Sequence, residues 1–234
     1  MTSVREKCRE FVEKQCAGYD GSHDISHIDR VVLNARAILK QSDDNTKNII
    51  DEDTIVAIAS LHDSFDHKYL TTEEAVQKAK REVGEFLASA CGFSDDSIKM
   101  VISVIDNMGY TAEVTGEAST LDPTSTAYLH IVQDADRLDA IGAVGVARCL
   151  AFSGAFGRPI ISPDGKDERI QRERFKLGQL QPAARKGGSA IAHFYDKLVF
   201  LKNMLKTAAG HEIGEQRHQF ILQFLDQFFA EIGA

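Results

Sequence analysis

The chain of 234 residues contains no tryptophan, only four prolines and only four cysteines. All four prolines lie at Pro123 or later, so none removes a backbone donor from a helix in the first 122 residues. The cysteines form no C-x-x-C pair, which disfavours a zinc knuckle or a dithiol redox motif. A disulfide scaffold is not expected at this length, and free thiols are the simplest interpretation.

Long apolar runs and an excess of basic charge are also missing. No stretch approaches the roughly 18 apolar residues of a membrane span, and the N-terminal segment lacks the apolar core of a signal peptide. With 27 basic and 35 acidic side chains, the net charge is -8. This charge disfavours an electrostatic binder of nucleic acid or of a membrane surface. We therefore expect a cytoplasmic protein with no nucleic-acid polymer and no membrane as partner.

The sequence does have helical periodicity, and its 43% hydrophobic content is enough for a sizeable core. Alternating, strand-like runs are almost absent, and neither repeats nor a convincing interdomain linker are found. The pattern therefore predicts an all-α chain with a single domain. The predicted helices cover residues 3–17, 25–40, 53–62, 71–90, 95–107, 125–152, 169–177, 190–205 and 212–232.

His62 and Asp63 are adjacent at the end of the short, nearly all-apolar helix predicted for residues 53–62. Such a helix should lie in the centre of the fold. An imidazole nitrogen and a carboxylate oxygen together can bind a divalent metal ion. The pair therefore indicates a metal site, provided that other segments supply further ligands.

Histidines also lie at the start of the second predicted helix. His23 and His27 are four residues apart and share a helix face if the helix includes both. A histidine at a helix start is more often a cap or a surface residue than a ligand. Neither residue indicates a metal site without the others.

Three carboxylates, Asp134, Asp136 and Asp139, interrupt an otherwise apolar helix. Buried acidic residues are rare unless they are paired or bind metal. At about 100° per residue, Asp134 and Asp139 border the apolar stripe on opposite sides, and Asp136 points further away. The three side chains should therefore differ in role, and periodicity favours Asp134 as the more inward one. The stripe consists of Ile131, Ala135, Leu138, Gly142 and Gly145.

The ordered set of His27, His62-Asp63 and Asp136 resembles the H…HD…D signature of the HD superfamily of metal-dependent phosphohydrolases. The resemblance extends to the surrounding residues and covers nearly the whole chain, and it is closest to the branch of small bacterial-type HD hydrolases. It implies an all-α, single-domain helical bundle of the HD-domain type over residues 1–234. The metal-binding core would cover about 20–150, and a C-terminal helical extension, about 151–234, would pack on it. The similar segments are 23–31, 61–68, 133–143, 192–198 and 217–220.

The resemblance also implies the ligands of a metal ion. They would be His27, His62, Asp63 and Asp136, since the last ligand of the family commonly follows an alanine. Periodicity favours Asp134 instead, and both alternatives stay open at this point. Two-metal members of the family have further histidines before the last aspartate.

Between Asp63 and Asp136 this chain has only His67 and His130, and the segment 106–109 contains none where a histidine often stands. This departure favours one divalent ion, whether Mn²⁺, Mg²⁺, Fe²⁺, Co²⁺ or Ni²⁺.

Catalytic and substrate-binding roles follow from the same resemblance. Asp66 comes three residues after Asp63 and is a candidate general base for water, a role that His67 shares or replaces. Without the resemblance, Asp66 would equally well be a solvated residue at a helix end. The candidate substrate-binding residues are Lys68, Arg30 and Arg137, which can neutralise phosphate charge, and His23 at the pocket rim.

The leading hypothesis is a metal-dependent phosphohydrolase that acts on a small phosphorylated metabolite, with a nucleotide as the favoured substrate. The alternative is a non-catalytic HD module that binds a nucleotide or a protein partner. A di-iron oxygenase on the same scaffold is disfavoured because extra histidines are scarce. The sequence leaves a homodimer open.

Overall fold

The computed structural model of the chain describes residues 2–15, 25–65, 70, 72–110, 113, 119–182 and 188–233. Among these residues the regular structure is helical and there is no strand, so the all-α prediction is confirmed. The chain divides into two compact units, Met1–Asp136 and Arg137–Ala234. One domain over 1–234 stays a prediction.

The first unit is built from helices that mostly begin at a side-chain cap. Asp43, Asp51, Thr72 and Ser94 each accept a hydrogen bond from a backbone N–H in the first turn of the helix that follows. A π-helical turn, Leu87–Cys91, extends the fifth helix. The helices are α1 Val4–Gln15, α2 Ile25–Gln41, α3 Asp44–Ile49, α4 Glu52–Leu61, α5 Glu73–Phe86 and α6 Asp95–Asp106.

Helix α4 is the centre of the first unit. Every residue from Thr54 to Leu61 is buried, and α4 packs against α1, α2 and α6. A short helix that is apolar on all sides needs neighbours on all sides, which is why the sequence predicts a central position for it. Because α4 ends at Leu61, His62 and Asp63 directly follow this helix, with His62 still buried and Asp63 half-buried.

Helix α7, Pro123–Asp139, begins in the first unit and ends in the second. In the first unit it has two polar anchors. The Tyr128 hydroxyl accepts a hydrogen bond from the backbone N–H of Asp51 at 2.8 Å. The Gln133 side chain donates to the carbonyl oxygen of Asn107 at 3.1 Å. These bonds fix α7 against the start of α4 and the end of α6.

The second unit has a core of large aromatic side chains. Phe194, Tyr195 and Phe229 are each at most 2% exposed, and the helices Ala190–Asp196 and Ala208–Glu231 supply them. The helices of this unit are α8 Gly142–Ala155, α9 Lys166–Lys176, α10 Ala190–Asp196, a 3₁₀ helix Leu198–Met204 and α11 Ala208–Glu231.

The single helix expected over residues 125–152 is wrong, because the chain breaks between α7 and α8. Gly142 has a φ of +76°, a left-handed conformation that favours glycine. A Cβ atom on Gly145 would lie 2.3 Å from the carbonyl oxygen of Ala140, so no larger residue fits there. Periodicity placed Gly142 and Gly145 in an apolar stripe, but in the structure these glycines allow the turn between α7 and α8.

Two further expectations also need correction. The helix expected over 190–205 is divided into α10 and the 3₁₀ helix after Asp196. The sequence reading also missed α3, which is six residues long and has no buried residue, so it carries no apolar periodicity.

Three of the four cysteines lie in the described part of the chain. Cys8, Cys91 and Cys149 are free thiols, and Cys16 lies outside the described residues. Burial raises the pKa of Cys149 to about 12. This side chain is therefore a neutral thiol at physiological pH and not a nucleophile.

Within the part of the chain that the structure describes, no single helix combines the length and hydropathy needed to cross a bilayer. One bent pair of consecutive helices, Pro123–Asp139 with Gly142–Ala155, has the required length and hydropathy when the two are taken together, which is a statement about length and composition only.

His193, on α10, is a titratable group inside the second unit. Burial lowers its pKa to about 4, and the positive charges of Lys197 and Arg158 contribute to the shift. In the unfolded chain a histidine has a pKa of about 6.5. Between these values the unfolded state binds more protons than the folded state, so the stability from this residue falls as the pH falls from about 6.5 to 4.

We expect His193→Gln to weaken the pH dependence of stability. Between pH 7 and pH 5 the wild type should lose about 1–2 kcal/mol more free energy of unfolding than the variant. Urea denaturation of both proteins at the two pH values measures the difference. Equal losses in the two proteins would contradict a depressed pKa at His193.

Candidate metal centre

Two buried imidazoles form the inner wall of the candidate site. His27 lies in the first turn of α2, and His62 is the residue that directly follows α4. Their side chains are only 2% and 3% exposed, and their ring centroids are 5.2 Å apart at an interplanar angle of 71°. Because α2 and α4 pack against each other, the helix contact itself brings the two rings together.

A backbone hydrogen bond orients the ring of His62. Its Nδ1 lies 2.9 Å from the carbonyl oxygen of Ala59, an atom that can only accept, so Nδ1 carries the proton. In the neutral ring, Nε2 then has the lone pair that a metal ion requires. This pairing of Nδ1 with a carbonyl oxygen is common in metal-binding histidines.

Two carboxylates face the Nε2 atoms of these rings. Asp63 places Oδ1 3.3 Å from Nε2 of His62 and Oδ2 3.7 Å from Nε2 of His27. Asp136 places Oδ1 3.6 Å from Nε2 of His27 and 3.8 Å from Nε2 of His62. The carboxylate side chains are 27% and 40% exposed. The site therefore has a buried imidazole wall and a more open carboxylate side.

The donor set fits one divalent ion. Single donor atoms of His27, His62 and Asp136 all lie within 4.8 Å of one another. Two neighbouring donors bonded to one ion at about 2.1 Å would lie about 3.0–3.5 Å apart. Asp63 falls outside that compact group but approaches each imidazole through a different oxygen. Imidazole nitrogens mixed with carboxylate oxygens suit ions such as Mn²⁺, Fe²⁺, Co²⁺ and Ni²⁺.

The three aspartates of α7 differ as periodicity predicts. Asp134 is 0% exposed and Asp139 is 1% exposed, whereas the side chain of Asp136 is 40% exposed. Asp139 forms an ion pair with Arg148 at 2.8 Å. Asp136, and not Asp134, belongs to the cluster with the two imidazoles. The more inward carboxylate is therefore not the one that faces the histidines.

Of the other sequence-predicted catalytic and substrate-binding residues, Arg30 and Arg137 lie within the described part of the chain. His23, Asp66, His67 and Lys68 lie outside the described residues. Arg30 is half-buried on α2, three residues after His27.

Arg137 is buried in the second unit and donates from Nη1 to the carbonyl oxygen of Met204 at 2.5 Å. That nitrogen is engaged with the protein backbone.

The segment 106–109, where two-metal family members often have a histidine, contains a structural asparagine. Asn107 donates from Nδ2 to the carbonyl oxygen of Ser103 at 2.8 Å, and its Oδ1 accepts from the N–H of Ser119 at 2.8 Å. Its side chain thus orders the backbone. Within the described residues, one group of at least three histidine, cysteine or acidic side chains is compact enough for an ion, and it is the cluster above.

Sequence reasoning missed Asn34, a buried polar residue on α2. Its Nδ2 donates to the carbonyl oxygen of Ala135 at 3.0 Å. A signal was available, because Asn34 comes seven residues after His27 and therefore shares its helix face. It is the one amide among the buried side chains of α2, which otherwise are those of His27, Ile28, Val31, Val32, Ala35 and Ile38.

Comparison with known proteins shows similarity over the whole chain. No family model matches the sequence. The uncharacterised protein YpgQ of Bacillus subtilis (strain 168) is 32% identical over 227 residues, which cover 97% of this chain and 93% of YpgQ. The structure of YpgQ in complex with ADP aligns with a TM-score of 0.66 at 29% identity, over 97% of each chain.

Two other solved structures have the same fold. A protein from Lactobacillus plantarum aligns with a TM-score of 0.71 at 27% identity, over 98% of this chain and 97% of that one. An HD-superfamily hydrolase from Bacillus thuringiensis aligns with a TM-score of 0.67 at 29% identity, with the same coverage. These similarities extend from one end of the chain to the other. The chain therefore belongs to the HD superfamily and has the fold of its hydrolases.

Proposed function

We propose that the protein is a metal-dependent phosphohydrolase that acts on a small phosphorylated metabolite, with a nucleotide as the favoured substrate. The arrangement of His27, His62, Asp63 and Asp136, with imidazole-to-carboxylate distances of 3.3–3.8 Å, carries the proposal. Membership of the HD superfamily supports hydrolysis. The ADP bound to B. subtilis YpgQ supports a nucleotide.

In this proposal the four side chains hold one divalent ion. When bound, such an ion lowers the pKa of water and polarises a phosphoryl oxygen. The buried imidazoles leave the more exposed carboxylate side open to substrate. This geometry suits a small ligand that approaches from solvent.

The remaining chemistry requires proton transfer and charge neutralisation. In hydrolysis, the water oxygen forms a bond to phosphorus while the bond from phosphorus to the leaving oxygen breaks. We propose that Asp66 accepts the proton of the attacking water as a general base, and that His67 shares or replaces this role. The leaving oxygen takes up a proton. The proposed substrate-binding residues are Lys68, Arg30 and Arg137, which would neutralise phosphate charge, and His23 at the pocket rim.

Matched substitutions distinguish Asp136 from Asp134 as the fourth metal ligand. We expect Asp136→Asn to reduce the metal content strongly, because it removes a charged donor from the cluster. Asp134→Asn should retain one ion per folded chain, since that side chain is fully buried outside the cluster. Elemental analysis after dialysis against Mn²⁺ measures both. Metal loss in the Asp134 variant alone would make Asp134 the ligand instead.

Turnover tests the proposed reaction. With added Mn²⁺, Co²⁺ or Mg²⁺, the wild type should release phosphate or pyrophosphate from at least one member of a panel of nucleotides and phosphate esters. Asp63→Asn should lower kcat/KM by at least about a hundredfold, because a metal ion contributes several kcal/mol to such reactions. A chelator should abolish activity, and the added ion should restore it.

Two outcomes would contradict this function. Equal turnover in the wild type and Asp63→Asn would mean that the cluster is not the catalytic centre. Calorimetric binding of ADP, without turnover of any panel member in either protein, would support the non-catalytic nucleotide-binding module instead.

A further inference from the structure

We infer that Asn34 is a positioning residue that holds Asp136 in place opposite His27 and so sets the affinity of the metal site. The inference rests on the proposed function, because it takes the cluster to be a metal centre. The observation behind it is a buried hydrogen bond, from Nδ2 of Asn34 to the carbonyl oxygen of Ala135 at 3.0 Å.

One end of this bond lies next to the proposed ligand Asp136, and the other end lies on the helix that carries His27. Asn34 is on α2 and follows His27 by seven residues, or about two helical turns, so both side chains project from the same face. Ala135 is on α7 and directly precedes Asp136. One amide therefore connects the helix that carries the first imidazole to the peptide unit that carries the last carboxylate.

The bond is not needed for either helix to form. The carbonyl oxygen of Ala135 lies inside α7 and has two lone pairs, one for the helix and one for Asn34. A buried amide in an apolar face is costly to desolvate unless it gains a hydrogen bond. The bond therefore has a specific interhelical role, namely to fix α7 at the level of Asp136.

The distances within the cluster depend on the position of α7 relative to α2. Oδ1 of Asp136 lies 3.6 Å and 3.8 Å from the two Nε2 atoms. Both distances are already slightly longer than the roughly 3.0–3.5 Å expected between neighbouring donors on one ion. A shift of α7 away from α2 would separate the carboxylate from both imidazoles. Outer residues that orient metal ligands typically change metal affinity by about 10–100-fold when they are replaced.

A second anchor of α7 provides a matched control. The Tyr128 hydroxyl accepts from the N–H of Asp51, also across helices in the first unit. Tyr128 lies eight residues before Asp136, about 12 Å along the helix axis. Tyr128→Phe therefore removes the interhelical hydrogen bond to Asp51 from the same helix, at a distance from the cluster.

The test measures metal affinity and stability together. Asn34→Leu keeps the volume without the donor, and Asn34→Ser keeps polarity but cannot reach the carbonyl oxygen. Titration with Mn²⁺, followed by the electron paramagnetic resonance signal of the free ion, gives the Kd of each protein, and thermal unfolding gives its Tm. We expect all three variants to lower Tm, but only the Asn34 variants to raise the Kd, by about tenfold or more.

A kinetic measurement separates positioning from general destabilisation. At low Mn²⁺ the Asn34 variants should lose turnover, and saturating Mn²⁺ should recover most of it with KM for the substrate unchanged. Wild-type Kd values in both Asn34 variants, beside a lowered Tm, would overturn the inference while the proposed function stands. A wild type that binds no Mn²⁺ would overturn the proposed function and this inference with it.

Discussion

The close approach of two buried imidazoles to two carboxylates is the interaction on which the rest of the site depends. Asp63 and Asp136 both lie within 3.8 Å of the Nε2 atoms of His27 and His62. Carboxylates held this close to a common point repel each other unless a positive charge lies between them. In the proposed function a divalent ion would supply that charge and bind both nitrogens, and the folded chain would then gain stability from the ion.

The rigidity of the arrangement comes from the core of the first unit. The apolar helix α4 is buried from Thr54 to Leu61 and ends immediately before His62 and Asp63. The bond from His62 to Ala59 and the bond from Asn34 to Ala135 connect the site to the backbone of α4 and α7. Ligands supported in this way by helices keep their geometry better than ligands on loops. Of the proposed catalytic and phosphate-binding residues, Asp66, His67, Lys68 and His23 lie outside the described residues.

The sequence predicted the parts of the molecule that depend on local periodicity. The apolar run before His62 predicted a central helix, and the angular positions on α7 correctly placed Asp134 inside and Asp136 further out. Burial alone could not identify the carboxylate that faces the histidines, because that depends on how α7 lies against α2. Asn34 was missed for the same reason, since its partner is 101 residues away. The break at Gly142 was missed because apolar patterning does not report the left-handed φ that a turn requires.

A crystal structure of the protein soaked with Mn²⁺ tests the central claim most directly. The anomalous difference map should show one ion in the first unit, bonded at about 2.0–2.3 Å to Nε2 of His27, Nε2 of His62 and oxygens of Asp63 and Asp136. An occupied site that lacks either imidazole would contradict the account, as would a fully soaked crystal with no ion between these four side chains.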